Sequence, residues 1–456
     1  MHLKVERKWW VLIAVGTGSF MAALDGSVVN TILPVIRDAF QSQVAAIEWV
    51  VTVYLLVISG VLLTFGRLGD LRGHKSVYIW GFGIFVLGSV LCGAAPSVEA
   101  LVAWRGLQAL GAAMIASNAP AILTGNFPAE QRGRALGMQA TMTYLGLTVG
   151  PSLGGWLTAS LGWRSVFYIN VPVGALALTL SLVFIPKNPP AEENQPFDLA
   201  GAFTFMGGLV TLLLALNKGA EWGWGSPRIL TFFIMARVLL AVFIAIERRT
   251  PAPMLDLGLF RQPVFSASVI SAVLNYLCLY SIAFLMPFYL IQGRGLNPAQ
   301  AGLLLTTQPL LMAIIAPVSG TISDRIGSRL PGMIGMSILS LGLFLLSRLG
   351  SASPLWFAAL GLAAAGIGIG IFISPNNSAL MGSAPRPRQG IAAGVLAASR
   401  NVGMVLGVGL AGAILTSRLN PSLPATFFQA VSAGLLTAAI IALLGVLSTA
   451  AKEKGS

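Results

Sequence analysis

The chain has 456 residues, 56% of them hydrophobic and only 9% charged, with a formal net charge of +13. Soluble chains carry about a quarter charged residues, so this composition excludes a soluble globular domain. Two cysteines and two histidines exclude a disulfide framework and leave metal chemistry almost without ligands.

Apolar segments recur at 9–36, 47–66, 77–96, 99–124, 135–160, 164–186, 198–217, 228–247, 265–292, 299–322, 331–350, 354–382, 389–416 and 426–450. Each is long enough to cross about 30 Å of hydrocarbon. In lipid every backbone polar group must be paired internally, and runs of this length achieve that as helices. The expected class is therefore all-α, a polytopic membrane protein of fourteen transmembrane helices. Lys4, Arg7 and Lys8 precede the first apolar run. That run is too long for a signal peptide and reads as a retained first span. Two polar connections, 187–197 with its prolines and 247–263, divide the chain. Residues 1–197 make an N-terminal six-helix bundle, 198–263 an inserted helix pair with its linker, and 264–456 a C-terminal six-helix bundle.

Lysine and arginine gather in the connections on the N-terminal side, among them Arg67, Arg72, Lys75, Arg248, Arg249 and Arg325. This asymmetry accounts for the basic charge without nucleic acid, and it places both termini in the cytoplasm of a protein in the plasma (inner) membrane. Trp222 and Trp224 then fall in an outer connection, where indoles suit the headgroup level.

The chain repeats itself. Gly66-Arg-Leu-Gly-Asp70-Leu-Arg72-Gly73-His-Lys75 returns as Gly320-Thr-Ile-Ser-Asp324-Arg325-Ile-Gly327-Ser-Arg329, each after the second or corresponding span of its half. Gly146, Gly150 and Gly155 are echoed by Gly403, Gly407 and Gly412. Two parallel six-span halves rocking about a site near the midplane are a common transporter plan. The loop places Asp70 at a helix end beside Arg72 and Lys75, between Gly66 and Gly73, so it reads either as a surface salt bridge or as a gate lock repeated at Asp324 and Arg325. In Gly146-Leu-Thr-Val-Gly150-Pro151-Ser-Leu-Gly154-Gly155 the small residues allow close helix contact, and the proline adds a kink.

Of the fifteen Asp and Glu residues, only Asp25 falls deep inside a span. At 1.5 Å per residue it lies roughly 20 Å from the N-terminal side of its helix. Intramembrane carboxylates are costly and mark ion or proton pathways. Burial disfavours a carboxylate's charge and a nearby cation favours it, so an acid whose surroundings change can take up and release a proton. The competing reading is a static ion pair between helices. Three arginines are also deep: Arg105, Arg237 and Arg400. Arg105 enters roughly 8–10 Å from the opposite side, into the same half of the membrane as Asp25. Arginine keeps its proton, so these residues can only set the field around Asp25 or meet an anion. Arg237 has no partner that the sequence suggests.

These segments together resemble the major facilitator superfamily, specifically its fourteen-span drug:proton antiporters, over nearly the whole chain. Gly66–Lys75 is similar to that superfamily's cytoplasmic loop motif, and Arg105–Ala113 to its fourth-span arginine motif. Gly146–Gly155 is similar to the fifth-span motif of exporters, and Leu24–Pro34 to the first-span motif of this subgroup. Trp163–Pro172 and Trp222–Trp224 are also similar to family segments. Leu71, His74 and Ala109 depart from the pattern. The resemblance implies a major-facilitator-type fold and proton-driven export of small amphipathic compounds or drugs.

An enzyme would need a nucleophile–base set or metal ligands inside the spans, and the sequence offers neither. A receptor or structural role does not call for duplicated halves. The alternative within transporters is a proton symporter importing a small nutrient, with the three deep arginines leaving room for an anionic one. No phosphate-binding glycine loop with Lys-Ser/Thr occurs, so ATP is not the direct energy source and no cofactor is expected. The expected partners are a small-molecule substrate, protons and the lipid bilayer, around a monomer. Asp25 and Arg105 are the candidate proton-coupling residues, and Met21, Asn30, Gln108, Asn275, Tyr276 and Arg400 the candidate cavity. The candidate gating set is Gly66, Asp70, Arg72, Gly73, Lys75, Gly146, Gly150, Pro151, Gly154, Gly155, Asp324 and Arg325.

Overall fold

A computed structural model describes residues 6–128, 131–187, 199–223, 225–248, 257–384, 389–418 and 425–451. They form sixteen α-helices: α1 (Arg7–Phe40), α2 (Val44–Arg72), α3 (His74–Gly93), α4 (Val98–Asn126), α5 (Arg132–Leu161), α6 (Ser165–Tyr168), α7 (Asn170–Phe184), α8 (Leu199–Trp222), α9 (Pro227–Glu247), α10 (Pro263–Pro287), α11 (Pro298–Leu305), α12 (Thr307–Ile326), α13 (Arg329–Ser347), α14 (Leu355–Ser383), α15 (Gln389–Arg418) and α16 (Ala425–Ala450). Residues 188–198 and 249–256, from the polar connections, fall outside the described residues.

Among the described residues, twelve helical stretches are long and apolar enough to cross a membrane. Two further long helices fall short of that measure. In α5, 30 residues long, glycines and threonines dilute the apolar character. In α8 the apolar part is Ala200–Leu216.

Two expected spans are each broken in two, and the cause is local. α6 ends at Tyr168, four residues before Pro172, and α11 ends at Leu305, four residues before Pro309. A proline ring clashes with the carbonyl four residues back and brings no N–H to bond it, so the helix restarts with a bend. The first break makes Asn170 the opening residue of α7. Elsewhere the helix starts are capped: Ser97 accepts from the Ala100 N–H at 3.2 Å, and Asn297 and Gln300 form a reciprocal capping box.

In the first half α1 packs along α5 and against α7, while α4 packs against both α2 and α3. In the second half α14 packs on α12 and α13, α13 on α16, and α10 on α15 and α16. The small-residue ridge of α5 makes its contact possible. A Cβ on Gly146 would stand 2.5 Å from the Phe20 carbonyl, and one on Gly154 would stand 2.7 Å from Val28 Cγ1, both on α1. The echo is structural as well: Gly403 and Gly407 of α15 face the backbone carbonyls of Val273 and Leu277 on α10, with no room for a side chain. α8 pairs with α9 and lies against α2 and α15. The outer face of α9 is exposed, including Ile234, Val238 and Arg237.

The halves meet closely at the end remote from the Gly66–Lys75 loop. Gly155 of α5 abuts the Pro298 backbone of α11, and Gly302 of α11 abuts Pro151. Ser152 Oγ and Thr306 Oγ1 share a hydrogen bond at 2.7 Å. Gly412 of α15 abuts the carboxylate of Glu48, near the start of α2, and Gln292 donates to Asp38 at 3.4 Å. Thus α5 meets α11 as α15 meets α2, a pairing that follows the internal duplication.

This contact makes a direct prediction. With Cys92 and Cys278 replaced, a Ser152→Cys/Thr306→Cys protein should form a disulfide on mild oxidation. Adding Gly302→Val should cut the yield severalfold, because a side chain there displaces the Pro151 backbone. Yields on denaturing gels check both statements.

Candidate functional site

Asp25 sits in the middle of α1 and is 1% exposed. Its Oδ2 receives Nη1 of Arg105, from α4, at 2.6 Å. Its Oδ1 accepts from Gln108 Nε2 at 2.9 Å and from Asn170 Nδ2, at the start of α7, at 2.7 Å. Three donors from two helices therefore engage both oxygens of one carboxylate.

Arg105 is equally enclosed. Its Nε donates to the Val50 carbonyl on α2 at 3.1 Å, its Nη1 also reaches Gln108 Oε1 at 2.6 Å, and its guanidinium lies 4.1 Å from the centre of the Tyr54 ring. Gln108 Nε2 also donates to Ser89 Oγ on α3 at 2.7 Å. Five helices of the first half thus contribute to one network. Charges in a low-dielectric interior are tolerated only when paired and fully hydrogen-bonded. The one loose end is Asn170 Oδ1, which is buried without a hydrogen-bond partner.

The other sequence-selected residues are distributed differently. Gln108 belongs to the Asp25 network. Met21 is fully buried in the first half, beside Gly174 of α7, and Asn275 is fully buried against Met336 of α13. Asn30 is 9% exposed on α1. Only Tyr276 and Arg400 come together, with the guanidinium 5.2 Å from the ring centre. Two acids expected at span ends, Glu48 and Glu247, are also buried there, at 5% and 4% exposure.

The loop residues make contacts within their own half. Gly73 at φ +87° and Gly327 at φ +81° take the left-handed turn in both copies, a conformation natural only to glycine. Lys75 donates to the Leu182 carbonyl at 2.9 Å, near the end of α7, and His74 Nδ1 lies 2.7 Å from Asn118 Oδ1 on α4. Arg72 and Arg325 are exposed. The side chains of Asp70 and Asp324 lie outside the described residues.

A duplicated helical membrane fold with a buried, hydrogen-bonded charge network defines a polytopic transporter. Residues 15–264 and 268–456 match the model of the Major Facilitator Superfamily, and the chain belongs to that superfamily. It is 35% identical over 403 residues to "Riboflavin transporter RibZ" of Clostridioides difficile, covering 88% of this chain and 87% of that protein. It is 34% identical over 416 residues to "Multidrug resistance protein Stp" of Mycobacterium tuberculosis, covering 90% of this chain and 76% of the relative. The crystal structure of a peptide transporter, POT, in complex with sulfate superposes with a TM-score of 0.71 over 98% of this chain and 96% of its own, at 16% identity. The protein is thus a multi-pass membrane transporter with the superfamily's fold.

The network predicts a non-additive double-mutant cycle. Arg105→Gln alone leaves Asp25 buried without its cation and should cost about 3–5 kcal/mol. Combining it with Asp25→Asn should recover most of that loss. Reversible unfolding in mixed micelles measures the four variants.

Proposed function

We propose that this transporter is a proton-coupled antiporter that exports small amphipathic compounds or drugs across the plasma membrane, with Asp25 as the proton carrier and Arg105 as its counter-charge. One observation carries the reading: Asp25 is the only acid placed well inside a span, and its charge is held by a network drawn from five helices. Protonating it removes half of a buried ion pair, a change on the scale of about 3–5 kcal/mol. That exceeds typical couplings between ligand sites, about 1–3 kcal/mol, so a proton here can bias a global equilibrium. The network is closed to solvent in this conformation, which requires that proton exchange occur in another.

The proposed architecture is fourteen spans, with α5 and α8 counted alongside the twelve more apolar stretches. α5 packs along the full-length α1, and α8 lies against α2 and α15, which supports counting both. The spans divide as 1–197, 198–263 and 264–456, and both termini are cytoplasmic in a monomeric protein. On that orientation the α5–α11 and α15–α2 contacts seal the outer end. The loops at Gly66–Lys75 and Gly320–Arg329 then serve the cytoplasmic gate. A relative named for multidrug resistance supports export. A relative named as a riboflavin transporter supports the alternative that the substrate is a small nutrient, imported by proton symport.

Proteoliposomes separate these readings. Under antiport an interior-acid gradient drives uptake of a fluorescent amphipathic dye, and under symport an interior-alkaline gradient does so. Asp25→Asn should abolish uphill accumulation under either gradient, and its equilibrium binding of the dye should survive but lose the pH dependence that the wild type shows. Gradient-driven accumulation by Asp25→Asn at the wild-type rate would contradict the assignment of the proton carrier.

A further inference from the structure

We infer that Arg400 and the tyrosines Tyr144, Tyr276 and Tyr280 form the substrate-recognition site, and that the site takes planar aromatic compounds bearing an acidic group. The inference rests on the transport function proposed above and names its substrate class. It starts from a contrast between two deep arginines. Arg105 has a carboxylate, a side-chain amide, a backbone carbonyl and an aromatic face. Arg400, on α15, is half-buried and lies against an aromatic face, and among the described residues no carboxylate or hydrogen-bond acceptor pairs with it.

A guanidinium keeps its proton in proteins, and an intramembrane charge is costly unless something answers it. With Asp25 committed to Arg105, no deep acid remains to neutralise Arg400. The missing charge is therefore one that arrives with a ligand. Its planar fork of donors fits a carboxylate, sulfonate or phosphate through two parallel hydrogen bonds.

The surroundings specify the rest of the ligand. Tyr276 and Tyr280 stand one turn apart on the same face of α10. Arg400 precedes by one turn Gly403, where α15 touches the backbone of α10, so its guanidinium is brought over the Tyr276 ring. Tyr144 of α5 joins them from the first half of the chain, and all three phenols lie within electrostatic range of Arg400. Tyr280 is also within electrostatic range of Arg105. Among the described residues the three tyrosine hydroxyls make no hydrogen bonds. Aromatic faces suit a flat ring system, and free hydroxyls suit its polar edge. A ligand here touches α5, α10 and α15 together and so bridges both halves of the chain.

The test uses two dyes sharing one xanthene ring system, anionic fluorescein and cationic rhodamine 123. Fluorescence anisotropy measures their binding to the full-length protein in detergent micelles, with no gradient present. The wild type should bind fluorescein at least about tenfold more tightly than rhodamine 123. Arg400→Gln should weaken fluorescein by about tenfold or more, and Arg400→Lys should fall between, keeping the charge but not the fork. Equal affinity for the two dyes, or an unchanged fluorescein affinity in folded Arg400→Gln, overturns the proposal. The wild-type preference alone decides it even where Arg400→Gln does not fold. Dye preference is read at equilibrium and the proton-carrier assignment is read by gradient-driven accumulation, so failure of that assignment and failure of this site give different results.

Discussion

One buried ion pair organises the first half of the molecule. Asp25 and Arg105, 2.6 Å apart and each 1% exposed, could not remain charged in hydrocarbon without the groups around them. Gln108 and Asn170 donate to the carboxylate, while the Val50 carbonyl and the Tyr54 ring complete the guanidinium's shell. Those partners come from α2, α4 and α7, with Ser89 of α3 holding Gln108 in place. Helix placement and charge satisfaction are therefore one problem here. The break at Tyr168, imposed by Pro172, is what lets Asn170 begin α7 and reach Asp25.

The second constraint is the close approach of backbones along the glycine ridges. Within each half they join α5 to α1 and α15 to α10. At the end remote from the Gly66–Lys75 loop the same two helices, α5 and α15, instead contact α11 and α2 of the opposite half. A helix fixed to its own bundle along most of its length, and to the other at its tip, can pass a change inside one half to the interface. The Asp25 network lies against α1, the helix on which α5 rides. In the reading proposed here, that adjacency is how a protonation event reaches the seal.

Much of this was legible in the sequence, and the exceptions have physical causes. Apolar length alone gave the helical class, and the duplicated loop gave the repeat, because both are local patterns. Arg105 and Gln108 are three residues apart on one helix face, so their joint turn toward Asp25 was open to inference. Asn170 could not be found that way, since nothing in the chain announces which side chain from a distant helix will meet a given acid. For Met21 and Asn275, both fully buried, residue type likewise does not announce the neighbours, Gly174 and Met336, that the fold brings to them. The helix breaks before Pro172 and Pro309 were hidden by counting apolarity, which passes over prolines that the backbone cannot ignore. The exposed placement of Arg237 on α9 has no structural explanation.

The central claim is that Asp25 changes protonation during the transport cycle. Infrared difference spectroscopy of the lipid-reconstituted protein, recorded between substrate-free and substrate-saturated states at fixed pH, reads this directly. The account predicts a protonated-carboxyl band that changes with substrate and is missing from Asp25→Asn. A difference spectrum with no carboxyl change, or one identical in Asp25→Asn, would show that the ion pair is a static strut.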